Sequence, residues 1–144
     1  MAMVVDPQLD GPFLGAFVMC RRAWRGDQWG SIDGIVDKLL VDKPEFAKGV
    51  EKCVLAILLY GRPPALGWRI DIRVTWPDDT VETIPAAQVI AEDGAVGGAM
   101  IPIGVEIPRQ TAGVIWYELL IDGRPLARIP FKVVHEWMSP PQRE

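Results

Sequence analysis

Histidine is nearly missing from this chain and cysteine is scarce: His135 stands alone, and Cys20 and Cys53 are the only cysteines in 144 residues. Nucleophilic catalysis of the Ser-His-Asp or Cys-His kind needs a base held beside the nucleophile. His135 follows Val133-Val134 and precedes Glu136-Trp137, the setting of a surface or strand-end histidine, so no catalytic constellation is found. Zinc needs several Cys or His ligands at short spacings, and a disulfide framework needs more cysteines than two. Both cysteines sit inside apolar stretches and read as buried thiols. Asp78-Asp79 with Glu82, and Glu92-Asp93, lie at turns and lack EF-hand spacing. Gly94 to Gly98 has neither the lysine nor the following helix of a phosphate loop and reads as a mobile inter-strand loop. No metal and no cofactor is expected.

Positive charge is also in short supply. Fifteen Lys and Arg face nineteen Asp and Glu, a net charge of −4. Neutralising phosphates requires clustered Lys and Arg, so nucleic acid is not an expected partner. Arg21-Arg22 with Arg25 is the one basic cluster. Long apolar runs are lacking too. FLGAFVMC and VLAILLY fall well short of the roughly 18 to 20 residues that span a bilayer, so no membrane partner is expected. The first 22 residues place acids before the apolar run and arginines after it, the reverse of a secretory signal. In a bacterial setting this predicts a soluble, cytoplasmic protein.

What the chain does have is globular composition, 49% hydrophobic and 24% charged, at the length of one domain. Turn signals recur about every ten residues (RGDQWG, GRPPALG, PDDT, EDGAVGG, PRQTAG, IDG), the rhythm of an all-β sandwich. We expect an immunoglobulin-like antiparallel β-sandwich of about seven or eight strands over residues 13–138, with flexible ends at 1–12 and 139–144. In WRIDIRVTW, Trp68, Ile70, Ile72, Val74 and Trp76 alternate with polar residues and share one face of a strand. Val81 to Ile90 returns as a second strand whose Pro85 calls for an edge or a bulge. Val96 to Ile107 places Ile101, Ile103, Val105 and Ile107 on one face, with Pro102 opposite. Phe13 to Trp24 reads as a buried strand, and Gly30 to Asp42 as a twisted one. Glu45 to Leu59 contains good helix formers, and an apolar run does not separate helix from strand by periodicity. We read a short helical stretch near residues 44–49 and a strand from about Glu51.

Thr111 to Val134 contains two apolar stretches around Asp122-Gly123. A two-residue type I′ turn with Ile121 opposite Arg124 sets Ile129, Phe131 and Val133 on the same face as Trp116 and Glu118, splitting the apolar sets. A three-residue loop, Ile121-Asp122-Gly123, with Gly123 as a bulge, reunites Ile115, Tyr117, Leu119 and Ile121 with Ala127, Ile129, Phe131 and Val133. The opposite face then carries Val114, Trp116, Glu118 and Leu120 beside Leu126, Arg128, Pro130 and Lys132. Trp116 and Arg128 are placed for a cross-strand cation–π pair.

The runs Cys20-Arg21-Arg22, Gly26-Asp27 and Ser31 to Asp37 (SIDGIVD), with Trp76-Pro77-Asp78-Asp79 and Gly113 to Gly123, resemble a family of short uncharacterised bacterial proteins with a predicted immunoglobulin-like sandwich. The resemblance covers about residues 13 to 135. Asp79 stands where that family usually has a turn glycine, and Val114 where a tyrosine often follows the glycine. The resemblance implies a fold; its motifs are turn and packing positions and carry no catalytic residues.

Function is therefore read from surfaces. Trp68 and Trp76 fit the core, while Trp24, Trp29 and Trp137 flank turns or termini. We expect a non-catalytic protein-interaction or assembly module that binds a protein partner or a second copy of itself, as a homodimer. Its interaction face is Val114, Trp116, Leu120, Arg128 and Pro130. The alternative is a small-ligand binder, for nucleotide or carbohydrate, with a platform of Arg21, Arg22, Trp24, Arg25 and Trp29.

Overall fold

The computed structural model describes residues 10–25, 30–90 and 97–138. Trp29, the Glu92-Asp93 pair, most of the Gly94 to Gly98 loop and the segments 1–9 and 139–144 lie outside the described residues. Nine strands occur among the described residues: β1 (Phe13–Arg25), β2 (Gly30–Ile35), β3 (Lys38–Val41), β4 (Val50–Gly61), β5 (Trp68–Thr75), β6 (Val81–Val89), β7 (Gly97–Pro108), β8 (Gly113–Ile121) and β9 (Arg124–His135). They form an all-β sandwich of a four-stranded sheet, β2-β1-β4-β7, and a five-stranded sheet, β3-β9-β8-β5-β6.

The strand count exceeds the expected seven or eight because Gly30 to Asp42 is two strands, β2 and β3, which join different sheets. The short β3 pairs with β9 in parallel, the one departure from an antiparallel arrangement among the described pairs. Helix-forming residues in Glu45 to Leu59 yield to packing. Only Pro44–Phe46 forms a 3₁₀ turn, and β4 runs from Val50 at the centre of its sheet. A central strand needs two neighbours that satisfy its backbone; β7 pairs with β4 along its whole length and β1 from Val54 to Tyr60.

The core lies between the sheets. From the four-stranded sheet come Phe17, Met19, Cys53, Leu55, Ile57, Leu59, Ile101 and Ile107, and from the other Trp68, Ile70, Ile72, Val74, Ile115, Tyr117, Leu119, Ile121, Phe131 and Val133. These are alternate positions along each strand, as period two requires. Burial of each large side chain stabilises the fold by about 1.5–3 kcal/mol. Pro85 sits on the edge strand β6, opposite a break in register between Ile70 and Asp71, and Pro102 on the edge strand β7. Neither proline interrupts a central ladder.

A second cluster, Cys20, Ala56 and Met100, is buried on the outer face of the four-stranded sheet, with Val18, Ala23, Ile32, Val54 and Leu58 packed against it. The last residues of β1 pair only with β2. A Cβ at Gly30 of β2 would lie 3.3 Å from the Met100 side chain on β7, two strands away from β1 in the sheet. The β1–β2 hairpin therefore curls over the outer face and covers it.

The β8–β9 hairpin corrects the expected three-residue loop. Ile121 pairs with Arg124, so the turn has two residues, with φ of 50° at Asp122 and 81° at Gly123. Two consecutive positive φ values mark a type I′ turn. The register shifts one pair further on: Leu119 faces Ala127 while Leu120 faces Pro125, leaving Leu126 as the extra residue. The bulge performs the face correction that had been assigned to the loop, and Leu126 packs against the main core instead of the outer face.

Candidate binding surfaces

The outer face of the five-stranded sheet is assembled row by row from the strand register. Val81, Thr75, Trp116 and Pro130 form one row across β6, β5, β8 and β9, and Thr83, Arg73, Glu118 and Arg128 the next. Val114, Lys132 and Lys38 continue the face toward β3. Cross-strand neighbours on one face stand close enough to interact. The Arg128 guanidinium lies over the Trp116 ring, 4.0 Å from its centroid, a contact worth about 0.5–1 kcal/mol at a partly exposed site. Arg73 Nε donates to Glu118 Oε1 at 2.6 Å, and Arg69 Nε to Asp71 Oδ2 at 3.1 Å.

Of the five residues expected to make the interaction face, Val114 and Trp116 are half-buried and Arg128 and Pro130 are exposed. Leu120 is corrected: it is only 5% exposed, because the shift at the bulge sets it between Asp71 and Pro125. Periodicity placed these residues and Lys132 on one face but gave no sign that Arg73 and Lys38 would join them, since strand order is not written in any one strand.

Of the expected ligand platform Arg22 and Trp24 lie beside each other, and Trp29 lies outside the described residues. Arg21 and Arg22 are consecutive on a strand and leave opposite faces. Arg22 Nη2 donates to Asp33 Oδ2 at 2.7 Å, and the Arg22 Cζ lies 5.9 Å from the centroid of the exposed Trp24 ring. Arg21 turns to Glu51, whose other carboxylate oxygen accepts from Arg109. The Arg109 hydrogen bond is the chief cause that holds the Glu51 carboxyl below the usual glutamate value, against desolvation and with help from Arg21. Arg25 is exposed on the same strand.

His135 is also corrected. It ends β9 as expected but is buried, 7% exposed, where its Nε2–H donates to the Arg109 carbonyl at 2.7 Å. Its ring stacks on Trp137 with centroids 4.6 Å apart. Both cysteines are buried free thiols, and burial pushes each thiol pKa up, away from the reactive thiolate. Among the described residues no group of three or more His, Cys, Asp or Glu is placed to hold a metal ion. No helix among them is long and apolar enough to cross a membrane.

No protein-family model matches the chain, and comparison with curated proteins finds no match. Among solved structures it is similar to the Pseudomonas fluorescens alkylpurine DNA glycosylase AlkC bound to DNA containing an abasic site analog. The TM-score is 0.51 at 14% identity, over 67% of this chain and 27% of that chain. At this identity the likeness shows a shared fold alone, and this chain corresponds to a minor part of the glycosylase. It does correct the expectation of no nucleic acid, which rested on net charge: a protein containing a similar sandwich is DNA-bound. Net charge is an average, and local patches of a chain at −4 can carry the opposite sign.

Proposed function

We propose that this chain is a non-catalytic docking module that works through the outer face of its five-stranded sheet and binds an acidic surface of a protein partner. The observation that carries this reading is the charge of that face. Arg69, Arg73, Arg128, Lys132 and Lys38 stand there against Asp71 and Glu118, whereas the whole chain has net charge −4. Two of the cations are paired within the sheet, and Arg128 is held by the Trp116 ring, which fixes its guanidinium before a partner arrives. Arginine and tryptophan on a flat, partly apolar face are the residue types that dominate interface energetics. A second reading, nucleic acid as the partner, is favoured by the same excess of cations and by the DNA-bound state of the similar glycosylase.

One experiment separates them. The wild-type chain, Trp116→Arg and Arg128→Glu are used as affinity baits in native extract at low and high salt, with and without nuclease. Labelled single- and double-stranded oligonucleotides are titrated in parallel. The docking reading expects one identified acidic protein, released by salt, unaffected by nuclease and lost with both variants. Saturable oligonucleotide binding that Arg128→Glu weakens moves the assignment to nucleic acid. Equal recovery by wild type and both folded variants removes this face from the function altogether.

A further inference from the structure

The end of the sandwich that carries the β5–β6 turn holds a pocket of about 260 Å³, just below the roughly 300 Å³ at which sites for drug-sized ligands begin. Its volume limits the occupant to a short molecule or a single side chain. We infer that this pocket binds an organic cation, an ammonium group on a short alkyl stem, with the stem against Trp76 and the charge at Asp78. Trp76, Pro77 and Pro108 line it, with the buried Ile115 beneath them.

The lining is held in place before a ligand arrives. The Asp79 N–H donates to the Trp76 carbonyl at 2.9 Å and the Trp76 N–H to the Thr80 carbonyl at 2.8 Å, which closes the turn. Gly113, at a φ of 134°, gives Pro77 its seat: a Cβ there would stand 2.8 Å from the Cβ of the proline. The residue after Pro108 is anchored in turn, its Arg109 N–H donating to the Gly49 carbonyl at 3.1 Å. Proline fixes φ, so Pro77 and Pro108 lose little freedom on binding.

Charge selects a cation. Among the described residues Asp78 is the one charged side chain that lines the pocket; it is exposed and forms no ion pair. Thr80 donates twice to Asp78 Oδ1, from its hydroxyl at 2.6 Å and its N–H at 3.1 Å, and Oδ2 accepts no bond among the described residues. The hydroxyl bond first, and the N–H bond second, hold this carboxyl below the usual aspartate range and keep it ionised. Asp79 and Glu82, both exposed on the same hairpin, strengthen the negative potential at this end. Arg109, beside Pro108 in sequence, is turned to Glu51 and does not offset it. Tryptophan is the aromatic side chain that attracts a cation most strongly, so Trp76 serves the charge as well as the stem. An anion of the same shape is repelled by these carboxylates, and a neutral chain gains only the apolar contacts.

Two sources share this chemistry, a free alkylamine and the lysine side chain of a peptide. The test follows two resonances of ¹⁵N-labelled full-length chain at neutral pH: the Trp76 indole N–H, and the Thr80 amide, which reports on the Asp78 carboxylate. The titrants are n-butylammonium, 1-butanol, butyrate and N-acetyl-Gly-Lys-Gly amide. n-Butylammonium is expected to shift both resonances saturably at millimolar concentration. 1-Butanol is expected to bind at least about fivefold more weakly, and butyrate to leave both unmoved. Asp78→Asn, a change at an exposed turn position, keeps an oxygen for Thr80 and removes the charge. It is expected to bring n-butylammonium down to the level of 1-butanol and to leave 1-butanol unchanged. Trp76→Phe, read at the Thr80 amide, is expected to weaken n-butylammonium about two- to fivefold. Tighter binding of the lysine peptide than of n-butylammonium identifies a peptide side chain as the source, and weaker or equal binding a free amine. No saturable shift, equal affinity for n-butylammonium and 1-butanol, or full affinity in folded Asp78→Asn overturns the inference.

Discussion

Individual residues here are explained by what their neighbours already occupy. Arg21 belongs to the only basic cluster visible in the sequence, yet in the fold it shares Glu51 with Arg109, so it has little left to offer a ligand. Glu51 makes a testable case. Its folded-state pKa lies below the ordinary glutamate value of about 4.5, first because of the Arg109 hydrogen bond. A depressed carboxyl contributes stability that is complete above its unfolded pKa and is lost as pH falls through the folded value. Glu51→Gln is therefore expected to cost about 1–2 kcal/mol at neutral pH. In denaturant titrations that difference should narrow below about pH 4.5. A gap that stays constant down to the acid transition contradicts the ion-pair account.

At the scale of elements, turns and bulges decide which face a strand presents. Asp79 adopts a φ of 70° in the turn between β5 and β6, the left-handed conformation that glycine enters without steric cost. Asp122 does the same at 50°, and its Oδ1 accepts the Arg69 N–H at 2.9 Å. Asparagine tolerates this backbone and keeps the acceptor, whereas alanine loses both advantages. Asp122→Asn should thus leave stability within about 0.5 kcal/mol of wild type. Asp122→Ala should cost about 1–2 kcal/mol, measured by equilibrium unfolding. Equal behaviour of the two variants argues against the turn geometry described here. The residue pattern of this hairpin had already shown that one extra residue was needed somewhere to reunite the apolar sets. Where it sits was not legible, because a bulged turn and a two-residue turn followed by a bulge at Leu126 produce the same alternation along β8 and most of β9.

For the molecule as a whole, two apolar layers are protected in different ways. Cys53 lies between the sheets, covered by the entire sandwich, while Cys20 lies on the outer face beneath the β1–β2 hairpin. Opening a hairpin that pairs at one edge exposes less apolar surface than separating two sheets, and local openings span a wide range of free energy. Both thiols should resist an aromatic disulfide reagent in the native state. Under mild denaturant Cys20 should be labelled first, as peptide mapping of partly labelled protein will show. Simultaneous labelling of the two would mean that the hairpin and the sandwich open as one unit.

Alternation, turn chemistry and apolar runs determined by themselves that this chain is all-β, that β5, β7, β8 and β9 each turn a known set of side chains inward, and that Trp116 and Arg128 share a surface. These are local consequences of a side-chain period of two, which any extended chain obeys. Only the tertiary structure decided that Leu120 is covered and that Arg73 and Lys38 join the face that carries Trp116. It alone folds one hairpin across the outer sheet and brings Trp76, Pro108 and Ile115 to one pocket. The reason is physical: strand order and register are set by how two apolar faces close on each other, a sum over many weak contacts that no single segment encodes.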